Sequence, residues 1–170
     1  MERRQRARSR DGLAAGAPVG AGAAAGRGAR SASAHDGLSA VYVSDLARAV
    51  ETAEIAFAAS PLRIYREWRL RECNYGDLNG APVAELDAVR LRHVDERFPC
   101  GESYRAAVAR VGELLDELAA ERDGERVLLI SHAATRRALD HFVNSVPLEQ
   151  LLAASFSWHK GWEYRYLPEA

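Results

Sequence analysis

Three side chains stand where chemistry is possible. His132 follows Ser131 at the end of the unbroken apolar run Val127–Ile130, and a helical pattern through Ala138, Leu139, Phe142 and Val143 starts at once behind it. That order predicts a buried parallel strand feeding a helix, with the histidine at the junction. In open α/β sheets ligands occupy the crevice beyond the carboxyl ends of the strands, where the free N–H groups of a helix start favour anions. A histidine that merely caps a strand at the surface fits the same pattern. Arg48 falls in the first turn of another expected helix, where the macrodipole disfavours a cation and a capping box would place Glu or Gln. Either an anion offsets that mismatch, or Arg48 pairs with Asp45 or Glu51 on a solvated face. Glu72 lies in a stretch from Arg69 to Gly80 that is dense in Gly, Asn and Asp, which is loop chemistry. Loops at the top of a rigid sheet commonly carry function, and a carboxyl group there, among arginines and aromatic rings, can have its proton affinity moved in either direction. The plainer alternative is an ion pair with Arg69 or Arg71.

The rest of the chain supplies elements able to hold these residues. Ala40–Ser44 is a short β-branched and aromatic run, and Asp45 is the expected N-cap of a helix with apolar positions at Leu46, Val50, Ala53 and Phe57. A third strand is expected within Leu62–Trp68. Pro82 is expected to open a helix through Val83, Leu86, Val89 and Val94, broken by Pro99-Cys100-Gly101. After Glu102-Ser103 comes the most regular helix, with Val108, Val111, Leu115 and Leu118 on one stripe and charges opposite, ended by Asp123-Gly124. Pro147 starts a short helix, and the alternation from Trp158 to Tyr166 predicts a closing edge strand. Strands alternating with helices predict an α/β fold, a three-layer α/β/α sandwich on a parallel-rich sheet.

Composition narrows the function classes. At 170 residues and 48% apolar content the chain reads as one domain with a core. Cys73 and Cys100 have no CxxC or histidine partner at metal spacing, so no metal or other cofactor is expected. Without a secretory apolar segment or a long apolar run, the reading is a reduced, cytoplasmic protein with no membrane span. The net charge of −1 hides an asymmetry, because residues 1–34 carry seven arginines against Glu2 and Asp11, while the remainder is acidic. That first segment is almost all Ala, Gly, Arg and Ser, without aromatic residues, and is expected to be disordered or irregular. A basic arm for nucleic acid is the functional alternative, which the lack of stacking aromatics disfavours.

Taken together, three motifs resemble one family, the histidine phosphatase superfamily of phosphoglycerate mutase-like proteins. They are Ser44-Asp45-Leu46-Ala47-Arg48-Ala49 with Thr52-Ala53, then Leu70-Arg71-Glu72 with Tyr75-Gly76-Asp77 and Asn79-Gly80, then Ser131-His132-Ala133. Glu102-Ser103 after Gly101 also matches. The likeness spans about Asp36 to Leu167 and is greatest to small broad-specificity bacterial members, including those resembling alpha-ribazole phosphatase. It implies a phosphoglycerate mutase-like fold and a small-molecule phosphomonoester as substrate. By the same resemblance Arg48 would bind the phosphoryl oxygens, His132 would stabilise their charge, and Glu72 would donate a proton to the leaving alcohol and activate the water. A guanidinium forks onto two phosphate oxygens, and arginine and histidine can neutralise the phosphoryl group in place of a metal.

The family's nucleophile is a histidine in an Arg-His-Gly or Arg-His-Ala motif ending the first strand, and neither motif occurs before Ser44. His35-Asp36-Gly37 is a superficial echo without a preceding apolar run or arginine. The expected organisation is therefore residues 1–34 outside the fold and residues 35–170 as a histidine phosphatase-like domain lacking its first strand, hydrolytic by type but impaired. A catalytically dead phosphate-binding or interaction module is the alternative. A shifted reading frame accounts for the Ala/Gly/Arg composition, since out-of-frame GC-rich DNA translates that way. The strands at Val41–Ser44 and Val127–Ser131 are expected near the sheet centre, with the absent strand's place between them.

Overall fold

The computed structural model describes residues 37–155, 157 and 159–168. The N-terminal Ala/Gly/Arg segment, His35 and Trp158 lie outside the described residues. Among the described residues three parallel strands form the sheet: β1 (Leu38–Ser44), β2 (Ile64–Glu67) and β3 (Arg126–Ile130), in the order β2-β1-β3. The register aligns Val41 with Ile64 and Leu128, and Val43 with Arg66 and Ile130.

Side-chain alternation along β1 explains why helices cover both faces. Ala40 and Tyr42 point to one face, where they pack with Leu70 and with Leu114 and Leu118 of α3 (Tyr104–Glu121). Val43 points to the other and packs with Ala49 and Ala53 of α1 (Ala47–Ala56). A short α2 (Val83–Val89) precedes α3, and α4 (Ala133–Asn144) and α5 (Leu148–Ala153) follow β3. Ala134 and Ala138 of α4 and Leu148 and Leu152 of α5 join Val108, Val111 and Leu115 of α3 in the largest apolar cluster. The α/β layering read from the sequence is thus present, and α3 begins on a Ser103 side chain that accepts a hydrogen bond from the Ala106 N–H.

Five expectations are corrected. β1 and β3 pair directly, so no strand lies between them. Among the described residues β3 is an edge rather than a central strand, and its apolar residues Val127–Ile130 are only half-buried. Asp45 does not cap α1; Leu46 occupies that position without a side-chain bond, because the Asp45 carboxylate is taken by Arg71. α2 stops at Val89 instead of running to Val94: it buries no residue, so nothing rewards extension, and Val94 enters the core from a turn that also stacks His93 on Phe98. Residues 159–168 form no strand. Their side chains reach instead for the helices, Tyr164 donating to Asp140 and Tyr166 to Asp116, with Arg136 over the Trp162 ring.

Between the strands and α3, two loops interlock through glycine. Gly76 has φ +57°, and a Cβ there would overlap the Pro99 carbonyl oxygen, which accepts a hydrogen bond from the Asp77 N–H. A Cβ on Gly101 would likewise overlap the Asn74 carbonyl oxygen.

Candidate active site

The site follows from register. Because Val43 and Ile130 are partners in parallel strands, the residues just past them emerge side by side at the same edge of the sheet. Ser44 ends β1, and Arg48 lies in the first turn of α1. On the neighbouring strand His132 is the N-cap of α4, two residues beyond β3. The Arg48 guanidinium stands 3.2 Å from His132 Nδ1, and His132 Nε2 stands 2.9 Å from the hydroxyl of Ser44, a fully buried residue. β2 delivers the third component. It too runs parallel to β1, with Ser44 opposite Glu67, and a 3₁₀ turn at Trp68–Leu70 leads to Glu72.

Glu72 is held by backbone donors, not by an arginine. Its Oε1 accepts hydrogen bonds from the N–H groups of Cys73 at 2.9 Å and Ala134 at 3.2 Å, and its Oε2 from that of Ala133 at 3.2 Å. The carboxylate therefore sits on the first turn of α4, where free N–H groups attract negative charge. Arg69 is engaged by Glu67 and Glu117, and Arg71 by Asp45 through two contacts of 2.6 Å. The ion-pair alternatives for Glu72 are thus not adopted, and Arg48 meets neither Asp45 nor Glu51 but His132.

Electrostatics follow from this packing. Burial, and after it the Arg48 and Arg110 charges, push the His132 imidazole down to about 4, so the ring is uncharged near neutral pH. Arg71 holds the Asp45 carboxyl below the usual carboxylate range. Burial raises the Cys73 thiol far above its ordinary value, which makes it inert as a nucleophile.

Ser44, Arg110 and Glu102 also shape the site, and the sequence motifs alone give none of them a role. Ser44 touches His132 directly. Arg110 of α3, buried, donates to the carbonyl oxygens of Arg69 and Glu72 and forms two bonds with Glu102, at 2.8 and 3.2 Å. Glu102 in turn accepts from the Asn74 N–H at 2.8 Å. Together they clamp the segment 69–74 that carries Glu72. Arg110 did leave a signal: it falls on the buried stripe Ala107, Arg110, Leu114, Leu118 of α3, where a charge must have partners.

Beside the site opens a cleft of about 630 Å³, lined by Trp68, Arg71, Glu72, Arg97 and Cys100 among others. Glu72 lines this cleft and also meets the α4 start next to His132, so it stands between the cleft and the Arg48–His132 pair. Among the described residues no group of three His, Cys, Asp or Glu side chains is gathered as for a metal ion, and no helix is long and apolar enough to cross a membrane.

Comparison with known proteins gives a consistent picture. A family model described as histidine phosphatase superfamily, branch 1, matches residues 20–160. A 2,3-bisphosphoglycerate-dependent phosphoglycerate mutase of Staphylococcus haemolyticus is 26% identical over 153 residues, covering 68% of this chain and 67% of that protein. Phosphoglycerate mutase-like protein 4 of Arabidopsis thaliana is 31% identical over 112 residues, covering 60% and 49%. Among solved structures, Bacillus stearothermophilus YhfR superposes with a TM-score of 0.60 at 28% identity, covering 71% of this chain and 64% of that one. A mycobacterial glucosyl-3-phosphoglycerate phosphatase bound to inorganic phosphate superposes at 0.57 and 28%, covering 72% and 66%. An alpha-ribazole phosphatase from Shigella flexneri, at 22% identity and a TM-score of 0.52, shares the fold. The chain thus spans about half to two thirds of the length of these relatives.

Proposed function

Since the chain belongs to the histidine phosphatase superfamily, whose members compared above are phosphatases and mutases, we propose that it is a phosphomonoester hydrolase by lineage that, with its present sequence, binds the phosphate group with little or no turnover. In this reading residues 35–170 form a phosphatase-like domain without its nucleophile strand. The observation that carries the reading is the 3.2 Å approach of Arg48 to His132 at the carboxyl edge of a parallel sheet, with the Glu72 carboxylate on the adjoining helix start.

Each residue has a task. Arg48 offers a fork of N–H donors to two phosphoryl oxygens. His132 supplies a further donor once it carries a proton on the nitrogen facing Arg48. Glu72, between this pair and the cleft, is where the oxygen of a leaving alcohol would meet a carboxyl group, and the cleft takes the alcohol itself. The nucleophile is the missing member, because no Arg-His-Gly or Arg-His-Ala precedes Ser44. Positioning and charge stabilisation accelerate an in-line displacement only when there is an attacking group to position.

Calorimetric titration with inorganic phosphate tests the binding half. The expected outcome is weak binding that falls at least tenfold in Arg48→Met, together with turnover of a generic aryl phosphate no faster than the buffer blank. Phosphate affinity unchanged by Arg48→Met, or turnover abolished by that substitution, contradicts the reading.

A further inference from the structure

The hydrogen bonds around His132 fix where its proton sits. A guanidinium has donors only, so the contact between Arg48 Nη2 and His132 Nδ1 at 3.2 Å requires a lone pair on Nδ1. In an uncharged imidazole the single proton is then on Nε2, and it points at Ser44 Oγ, 2.9 Å away. The Leu46 N–H also donates to that oxygen, at 3.4 Å, so the hydroxyl accepts from two sides at the last residue of β1. Ser44 is fully buried, and no other side-chain bond to its hydroxyl exists among the described residues.

This arrangement raises a difficulty for anion binding. An anion seated against Arg48 and His132 would meet, on the histidine, a lone pair rather than a donor. We propose that Ser44 is a positioning residue for His132: its buried hydroxyl accepts a hydrogen bond from Nε2–H and leaves Nδ1 alone to face Arg48 and an arriving anion, so that binding is completed by adding one proton at Nδ1. The proton comes from the buffer, the Arg48–Nδ1 contact is exchanged for two contacts to the anion, and the Nε2–H bond to Ser44 persists throughout. The inference rests on reading the Arg48–His132 pair as an anion site.

The groups that face His132 agree with this. Arg48 from α1 and Arg110 from α3 both oppose a second proton while the site is empty, as does burial. Ser44 from β1 is neutral, and the Glu72 carboxylate is engaged by the Ala133 and Ala134 N–H groups immediately after the histidine. An anion between Arg48 and the ring offsets the guanidinium charge and removes the main electrostatic objection to protonation. Proton uptake on binding is the consequence. Affinity should then fall roughly tenfold per pH unit, as pH rises from the free histidine's titration to that of the complex.

Sulfate is the probe, since it stays a dianion over the whole range. Titrating it into the full chain at pH 6, in two buffers of different ionisation enthalpy, should read close to one proton taken up per sulfate. The nitrogen-15 spectrum of the free protein should show His132 protonated at Nε2 only. Ser44→Ala should lose roughly tenfold in sulfate affinity, the worth of one such hydrogen bond, and Ser44→Thr, which keeps the hydroxyl, should recover most of it. A free His132 protonated at Nδ1, Arg48-dependent sulfate binding without proton uptake, or a Ser44→Ala protein that binds like the parent overturns the inference and leaves the anion site standing. Absence of any binding that Arg48→Met diminishes overturns both.

Discussion

At the carboxyl ends of the strands, side chains from β1, α1, the segment 69–74, α3 and α4 converge through bonds of 2.6 to 3.2 Å, several of them buried. Along the outer side of β3 the construction is different. There the apolar residues Val127–Ile130 are half-buried, no further strand pairs with them among the described residues, and residues 159–168 are tied down by side-chain contacts such as the exposed Arg126–Glu163 pair. The first region includes buried groups such as Ser44 and Arg110 that water cannot reach; the second is held by exposed groups that water could serve as well. Pre-organisation of a binding site needs the former, and the described residues supply it from a sheet of three strands.

If that contrast is right, the largest loss should come from the clamp. Arg110→Leu leaves Glu102 without its cation and frees the carbonyls of Arg69 and Glu72, so it should cost about 3–5 kcal/mol in denaturant unfolding, the usual penalty for breaking one side of a buried pair. It should also abolish phosphate binding in whatever fraction remains folded. A change below about 1 kcal/mol would show that the loop carrying Glu72 is held by something else.

The pH response comes next in size. His132 titrates near 4 in the fold against about 6.5 when unfolded. Between those values the unfolded chain binds the extra proton and the native chain does not, so stability rises with pH across the window and is lost as pH falls through it. The loss should be about 1–3 kcal/mol by pH 4, measured as unfolding midpoints at fixed ionic strength, and His132→Gln should flatten that part of the profile. A profile rising toward acid pH would reverse the assignment of an uncharged ring.

At the other region the expected effect is small. Glu163→Ala removes an ion pair whose side chains are 58% and 81% exposed, and should change stability by no more than about 0.5 kcal/mol. A loss of 2 kcal/mol would erase the distinction between the two regions.

The same division separates what the sequence disclosed from what it concealed. Strand-to-helix switches at Ser44 and His132 were legible because local period changes abruptly there, and the most regular helix was legible from its stripe. The convergence of Arg48, His132 and Glu72 was implied by the family resemblance of the three motifs, yet their actual partners were not. Asp45 looked like a helix cap and proved to be the counter-charge of Arg71, a residue 26 positions away, because capping and long-range pairing draw on the same side chains. Ser44 carried no obvious chemical label, since a serine at a strand end is ordinary until its neighbours in space are known, and Arg110 on its apolar stripe showed that it needs partners but not which ones. The alternation near the C-terminus looked like a strand because period reveals which side chains share a face, not whether a neighbouring backbone is there to pair with. β3 misled for a related reason: an unbroken apolar run predicts burial on both faces, and strand order is set by tertiary packing that no local window contains.

The central claim is that this chain keeps a phosphate site without a phosphate-accepting histidine. Incubation of the purified protein with a labelled phosphomonoester, followed by quenching in base, where phosphohistidine survives, tests it most directly. The account predicts no acid-labile label on the protein while Arg48-dependent binding of inorganic phosphate persists. An acid-labile label that maps to His132 or His35 would contradict it, because another histidine would then be serving as the nucleophile.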